Sequence, residues 1–208
     1  MWVLVALAII VGVARAVAIR WWRVPLEDPY LEASIAPTLR GGDLVVLWRL
    51  TKPLYGDLVV CPEPGAETER IVIGRIVARG GDTVGIKNGY LQLNGRRLQT
   101  ESSCNERVFS ALDPETGNQV KQHCNVVKLG SSTHMRGSIV SGAQLPNDLE
   151  AIEINPEQVF LMSDNRQFPY DSRDFGAVDL ASCKESVVFR LTSKDGFFDV
   201  EQRLTVIR

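Results

Sequence analysis

The 208-residue sequence lacks several features that would place it in a common functional class. Its net charge is −2 and its basic residues are scattered, so there is no basic surface suited to nucleic acid. The four cysteines form no Cys-x-x-Cys pair and no histidine stands at a metal-ligand spacing, which argues against a metal site. Neither an internal repeat nor a long amphipathic helical pattern follows the N-terminal segment. These absences favour a mostly-β fold.

The cysteines leave two interpretations open, because four cysteines can pair in three ways. Cys104 and Cys124 bracket a polar segment that contains proline and glycine. They are the favoured disulfide if the compartment is oxidising. Four free and partly buried thiols are the alternative.

The N-terminus begins with an uncharged apolar run over residues 2–14. Arg15 interrupts the run, apolar residues continue to Ile19, and Arg-Trp-Trp-Arg closes it at residues 20–23. The length approaches the roughly 20 residues that cross a bilayer, provided that Arg15 reaches the headgroups. The paired tryptophans suit the membrane interface. We therefore predict a membrane anchor over residues 1–23.

A cleaved export signal is the competing interpretation of this segment. Ala-Val-Ala at residues 16–18 resembles a cleavage site, but no basic region precedes the apolar run. The arginines lie after the run, and the positive-inside rule would therefore keep the following domain in the cytoplasm.

The remainder, residues 24–208, is predicted to be one β-rich domain. Short apolar runs separated by glycine, proline and aspartate are typical of strands. The predicted strands lie at 43–50, 57–61, 70–78, 83–86, 159–165, 186–192 and 203–208. Asn94-Gly95 inside residues 90–98 predicts a type I′ hairpin. Residues 101–150 are polar and rich in turn residues, which indicates an inserted subdomain.

Three short motifs follow the apolar N-terminus in a fixed order. The first is Ser-Ile-Ala-Pro-Thr-Leu at 34–39, followed by Gly-Asp at 42–43. The second is Gly-Arg-Ile-Val-Ala-Arg-Gly-Gly-Asp-Thr-Val at 74–84. The third is Ser-Asp-Asn-Arg at 163–166, followed by Asp-Ser-Arg-Asp-Phe-Gly at 171–176. Each motif alone is a weak signal.

Together the motifs resemble the bacterial type I signal peptidases, serine peptidases of the Ser/Lys dyad type. The resemblance runs from the N-terminus to about Arg190 and is weakest through residues 101–150. It implies coiled antiparallel β-sheets, one N-terminal transmembrane helix and a domain on the extracytoplasmic face of the bacterial inner membrane. It further implies signal peptides of exported preproteins as substrates, the lipid bilayer as a partner, and neither cofactor nor metal.

The resemblance assigns roles to individual residues. Ser34 matches the nucleophile, and Pro37 and Thr38 would shape the backbone that presents it. Ile35, Ala36 and Pro37 would supply an apolar surface for the small residues of a signal-peptide cleavage site. The supporting residues, expected to form buried charge-assisted pairs, are Asp164, Arg166, Asp171 and Arg173.

The sequence departs from the family pattern at three site positions. Gly74 stands where the family has its general-base lysine, and the neighbouring Arg75 stays protonated. Glu32 replaces a hydroxyl residue that helps to bind the oxyanion in many members. A carboxylate there would repel the developing negative charge. Pro169 replaces a serine that hydrogen-bonds the lysine.

Four other side chains are candidates for a substitute base. Two of them are the lysines Lys52 and Lys87, and Lys87 is predicted to lie on a solvated turn. His123 and His134 fall in the polar insertion, where we expect solvated surface histidines. None of the four is predicted to serve as the base.

Two functions from different classes follow. The first is a non-catalytic relative that binds signal peptides and holds or modulates an active signal peptidase or the translocation machinery. The alternative is an active signal peptidase that uses a non-standard base. A plasmid-transfer peptidase of the same clan is a third, weaker interpretation. The missing lysine favours the first.

Overall fold

The computed structural model describes residues 2–67, 69–87, 90–98, 100–130, 132–139 and 148–207. The helices are α1 (Trp2–Val17), α2 (Pro29–Ile35) and α3 (Ser172–Phe175), with a 3-10 turn at Leu180–Ser182. The strands are β1 (Ile19–Arg23), β2 (Leu44–Trp48), β3 (Leu58–Pro62), β4 (Ile71–Arg79), β5 (Thr83–Lys87), β6 (Tyr90–Leu93), β7 (Arg96–Arg97), β8 (Thr100–Leu112), β9 (Gln119–Leu129), β10 (Ser132–Ile139), β11 (Leu149–Glu153), β12 (Gln158–Met162), β13 (Val178–Asp179), β14 (Glu185–Thr192) and β15 (Thr205–Val206). The predicted mostly-β class is confirmed.

The main sheet has the order β1-β2-β14-β3-β4-β12-β13, and β15 pairs with β14. Helix α2 packs on this sheet through Leu31 and Ile35, which belong to one buried cluster with Leu47 and Ile73. Each buried aliphatic side chain of this kind contributes about 1.5–3 kcal/mol. This packing fixes the short helix, and with it the first motif, over the sheet.

The N-terminal segment differs from the predicted anchor in its last five residues. Helix α1 ends at Val17, and β1 pairs antiparallel with β2. Aromatic residues favour strands, and Trp22 packs partly buried against the cluster that contains Leu47. The predicted interfacial tryptophans therefore lie in a strand of the sheet. Among the helices described, none is long and apolar enough to span a bilayer.

A second sheet has the order β11-β5-β6-β7. The turn between β6 and β7 has positive φ at both central residues, 51° at Asn94 and 74° at Gly95. A type I′ turn requires this, so the predicted hairpin is confirmed.

The predicted insertion forms a three-stranded antiparallel sheet, β10-β9-β8. Its strands have a polar composition because few of their side chains face an apolar core. Residues 140–147 of the insertion lie outside the described residues.

Two disulfides join distant parts of the chain. Cys104 bonds to Cys124 between β8 and β9, as favoured from the sequence. Cys61 bonds to Cys183, a pairing that was not predicted. These two lie 122 residues apart and meet because β14 pairs with β3.

Candidate functional site

Helix α2 carries Ser34 in its last turn. The helix begins at Asp28, whose carboxylate accepts hydrogen bonds from the backbone N–H groups of Tyr30 and Leu31 at 3.0 Å each. Pro29 occupies the first helical position, where its missing N–H costs nothing. The helix ends at Ala36, before a cis bond to Pro37. Local capping therefore fixes the segment that presents the serine.

The Ser34 hydroxyl is fully buried and donates a hydrogen bond to the carbonyl oxygen of Leu31 at 2.9 Å. Asn165, in the third motif, forms hydrogen bonds with the same turn. Its backbone N–H donates to the Ser34 carbonyl at 2.9 Å, and its side-chain amide donates to the Ala33 carbonyl at 2.8 Å. The first and third motifs therefore meet at this turn.

A buried ion pair lies next to this turn. Arg75 and Asp164 are both fully inaccessible, and the guanidinium binds the carboxylate through Nε–Oδ1 and Nη2–Oδ2, each at 2.8 Å. Asp164 Oδ2 also accepts the Thr38 hydroxyl at 2.6 Å. Burial raises the pKa of Asp164, but the charge and hydrogen bonds of Arg75 outweigh it and leave the pKa below its ordinary value. These bonds therefore connect Thr38, which follows Ser34, to Arg75 on β4 through Asp164.

A second buried pair joins Asp171 to Arg173, two of the four predicted supporting residues, at 2.7 Å between Oδ2 and Nη2. Asp171 caps α3 and also accepts the backbone N–H of Ser163 at 2.7 Å. The expectation that all four supporting residues would pair needs a correction. Asp164 pairs with Arg75, and Arg166 has no carboxylate within ion-pair distance in the part of the chain described.

A third buried pair was missed from the sequence. Arg190 Nη1 binds Asp43 Oδ2 and the Thr38 carbonyl oxygen, each at 3.1 Å. The available signal was an arginine inside the apolar run of β14, since an isolated charge in a buried strand requires a partner.

Gly74 lies buried in β4 with no side chain to accept a proton. A Cβ atom placed at this position would lie 3.0 Å from the Cβ of Leu161 on the neighbouring strand β12. This is closer than ordinary carbon contacts, so a larger residue at position 74 would require Leu161 to move by a few tenths of an ångström.

The substitute bases fall into two groups. Lys52, Lys87 and His123 are exposed, which agrees with the expectation of solvated residues. His134 is 4% exposed, so the expectation of a surface histidine was wrong for this residue. Burial and the charge of Arg75 hold its pKa well below the ordinary value, and neither ring nitrogen has a hydrogen-bond partner.

A cleft of about 1200 Å³ runs between the end of α2 and the β8–β9–β10 sheet. Its apolar lining includes Ala36, Pro37 and Phe109, and Glu32 contributes a carboxylate. Ile35 does not line the cleft, since it is buried in the core beneath α2, and its predicted substrate contact was wrong. Ser34 is also absent from the lining.

Residues 1–192 match the family model described as "Signal peptidase, peptidase S26". The chain belongs to the signal peptidase family. The match extends over all three motifs and the insertion between them, and so covers every residue of the site described above.

Curated relatives agree with this family. Signal peptidase I of Bacillus licheniformis is 26% identical over 180 residues, covering 83% of this chain and 78% of the relative. Signal peptidase I P of Bacillus subtilis subsp. natto is 27% identical over 179 residues, covering 81% and 80%. A probable signal peptidase I-1 of a Synechocystis strain is 25% identical, covering 79% and 70%.

Among solved structures, a signal peptidase I from Enterococcus faecalis matches with a TM-score of 0.42 and 20% identity. The match covers 66% of this chain and 98% of the other.

Proposed function

We propose that this signal peptidase family member binds the signal peptides of exported preproteins and cleaves them very slowly or not at all. One observation carries the proposal. The Ser34 hydroxyl is fully buried and bonded to a carbonyl oxygen of its own helix, and no described lysine or histidine is hydrogen-bonded to it. A serine needs a neighbouring base to become a nucleophile at neutral pH.

The magnitude of the defect follows from the missing groups. General-base assistance contributes roughly 10²–10⁴-fold to the rate, and one oxyanion donor contributes roughly 10²–10³-fold. Gly74 supplies no base, and Glu32 adds a negative charge two residues before Ser34. Together these losses would reduce serine-dependent cleavage to background.

Binding is supported by what the site retains. Three buried ion pairs, Arg75–Asp164, Arg173–Asp171 and Arg190–Asp43, still hold the segments around Ser34. The cleft beside Ala36 and Pro37 is partly apolar and large enough for several residues of an extended peptide. A scaffold of this kind can receive a peptide without cutting it.

The disulfides indicate the compartment in which the domain lies. Disulfides persist in oxidising compartments, and two of them join this chain. They favour an extracytoplasmic domain over the cytoplasmic position that the positive-inside rule suggested. Helix α1 presents exposed apolar side chains, among them Trp2 and Leu4, which suit attachment to the inner membrane. We propose α1 (Trp2–Val17) as the anchoring segment and the sheets that follow it, from β1 onward, as the binding domain. By binding there, the protein would hold or modulate an active signal peptidase or the translocation machinery.

The test uses the full chain in detergent with a fluorescently labelled signal-peptide substrate. The unaltered protein and Ser34→Ala should bind the peptide equally in fluorescence anisotropy and cleave it equally slowly. Signal peptidase I of Bacillus licheniformis serves as the active control.

Each half of the proposal can fail separately. Cleavage that Ser34→Ala abolishes would show an active enzyme and refute the proposed loss of activity. Failure of both proteins to bind any signal peptide would refute recognition instead.

A further inference from the structure

A small internal cavity lies beneath the β8–β9–β10 sheet, apart from the cleft. Its volume is about 20 Å³, enough for the centre of one water-sized particle. Its lining combines apolar side chains, among them Val77, Leu91 and Leu129, with three basic ones. The basic residues are His134, Arg136 and Arg166.

Each of these basic groups has a nitrogen without a hydrogen-bond partner. The unpartnered atoms are Nε of Arg136, Nε of Arg166, and both ring nitrogens of His134. His134 is 4% exposed and Arg166 is 7% exposed. Buried donors are normally satisfied, and an orphaned donor costs about 1–3 kcal/mol, or more for a charged group. Several orphans around one cavity point to a missing acceptor.

The charge around the cavity is also unbalanced. Asp164 and Asp171 are the nearby carboxylates. The oxygens of Asp164 are already bonded to Arg75 and Thr38, and those of Asp171 to Arg173 and the Ser163 N–H. Within the described ranges, no carboxylate lies within 4.0 Å of Arg136 or Arg166. Burial, with repulsion from Arg173, lowers the pKa of Arg166 to about 9, so the guanidinium remains charged at neutral pH. An unpaired buried charge is strongly destabilising.

We propose that this cavity binds one small monovalent anion, of about the size of chloride. The anion would accept the Nε–H groups of both arginines and a ring N–H of His134. A water molecule could accept some of these bonds but would leave the positive charge uncompensated.

The anion would also join two parts of the fold. His134 and Arg136 lie on β10, and Arg166 follows the segment that holds Ser34. Gly137 on β10 already bonds to this segment, donating to the Asp164 carbonyl at 2.9 Å and accepting from the Arg166 N–H at 3.1 Å. Occupancy of the cavity would therefore strengthen the attachment of the β10 sheet to the site.

The experiment follows thermal unfolding of the full chain in detergent by tryptophan fluorescence. Sodium gluconate is replaced by sodium chloride at constant ionic strength, for the unaltered protein, Arg136→Met and Arg107→Met. Arg107 is an exposed arginine on β8 and controls for loss of one charge. Chloride at ten times its Kd should raise the Tm by about 3 °C or more in the unaltered protein and in Arg107→Met. It should leave Arg136→Met unchanged.

An equal response to gluconate and chloride, or an undiminished response in Arg136→Met, would overturn the proposal. Should Arg136→Met fail to fold, bromide-soaked crystals of the unaltered protein decide the matter. An anomalous peak between His134, Arg136 and Arg166 supports the anion. A water molecule there, without bromide, refutes it.

Discussion

The buried ion pair between Arg75 and Asp164 allows a sharp test of the structural argument. Asp164→Asn would leave the Arg75 guanidinium charged and fully buried beside a neutral amide. Removing one partner of such a pair destabilises a protein by about 3–5 kcal/mol. Arg75→Met should have a similar effect, because the Asp164 carboxylate then loses both of its 2.8 Å hydrogen bonds.

The double variant Arg75→Met/Asp164→Leu supplies the decisive comparison. It removes both charges together, so its cost should fall below the sum of the single costs by about 2 kcal/mol or more. The Thr38 hydroxyl loses its acceptor in this variant, which retains a penalty of about 1 kcal/mol.

The assay is urea unfolding in detergent, followed by circular dichroism for all four proteins. Single costs under about 1 kcal/mol, or strictly additive costs in the double variant, would refute the reasoning. The pH dependence gives an independent check. Because the folded pKa of Asp164 lies below its unfolded value, its contribution is present above about pH 4 and is lost as the pH falls further.

Three further changes have defined outcomes. Gly74→Lys alone should not create cleavage, because its Cβ would lie 3.0 Å from the Cβ of Leu161 and Glu32 would remain two residues before Ser34; peptide cleavage by this variant would contradict that expectation. The folded pKa of His134 is depressed, so the free energy of unfolding should fall as the pH drops below about 6.5. Denaturation of His134→Leu should lack that loss, and an identical pH profile in the two proteins would exclude a contribution from His134. Replacing Cys104 and Cys124 by serine should cost about 3 kcal/mol in urea unfolding and weaken peptide binding at the cleft; unchanged stability would show that the bond contributes nothing.

The buried ion pairs around Ser34 are present although position 74 holds a glycine. Asp171–Arg173 and Asp43–Arg190 are buried and hydrogen-bonded to backbone atoms of the site. They determine the shape of the segments around Ser34, and they have no role in accepting a proton. Together with Gly74, these pairs are the basis of the proposal that the protein binds signal peptides and does not cut them.

Much of the site was predictable because it depends on residue identity. Gly74 can offer no base in any conformation. Asn94-Gly95 favours a type I′ turn, because asparagine and glycine readily adopt the positive φ that both central positions of this turn require. Alternating and apolar runs separated by turn residues likewise located the main strands, since the strand period is a local property of the chain.

Contacts between distant segments were decided only by the tertiary structure. The partner of Asp164 is Arg75, 89 residues away, and their meeting depends on the register of β4 against β12. The burial of Ile35 and His134 depends on which sheet covers them. The sequence by itself determined which chemical groups are present. The packing of sheets determined which of them are buried, paired or left without a partner, because burial and charge compensation are properties of surroundings that no local pattern records.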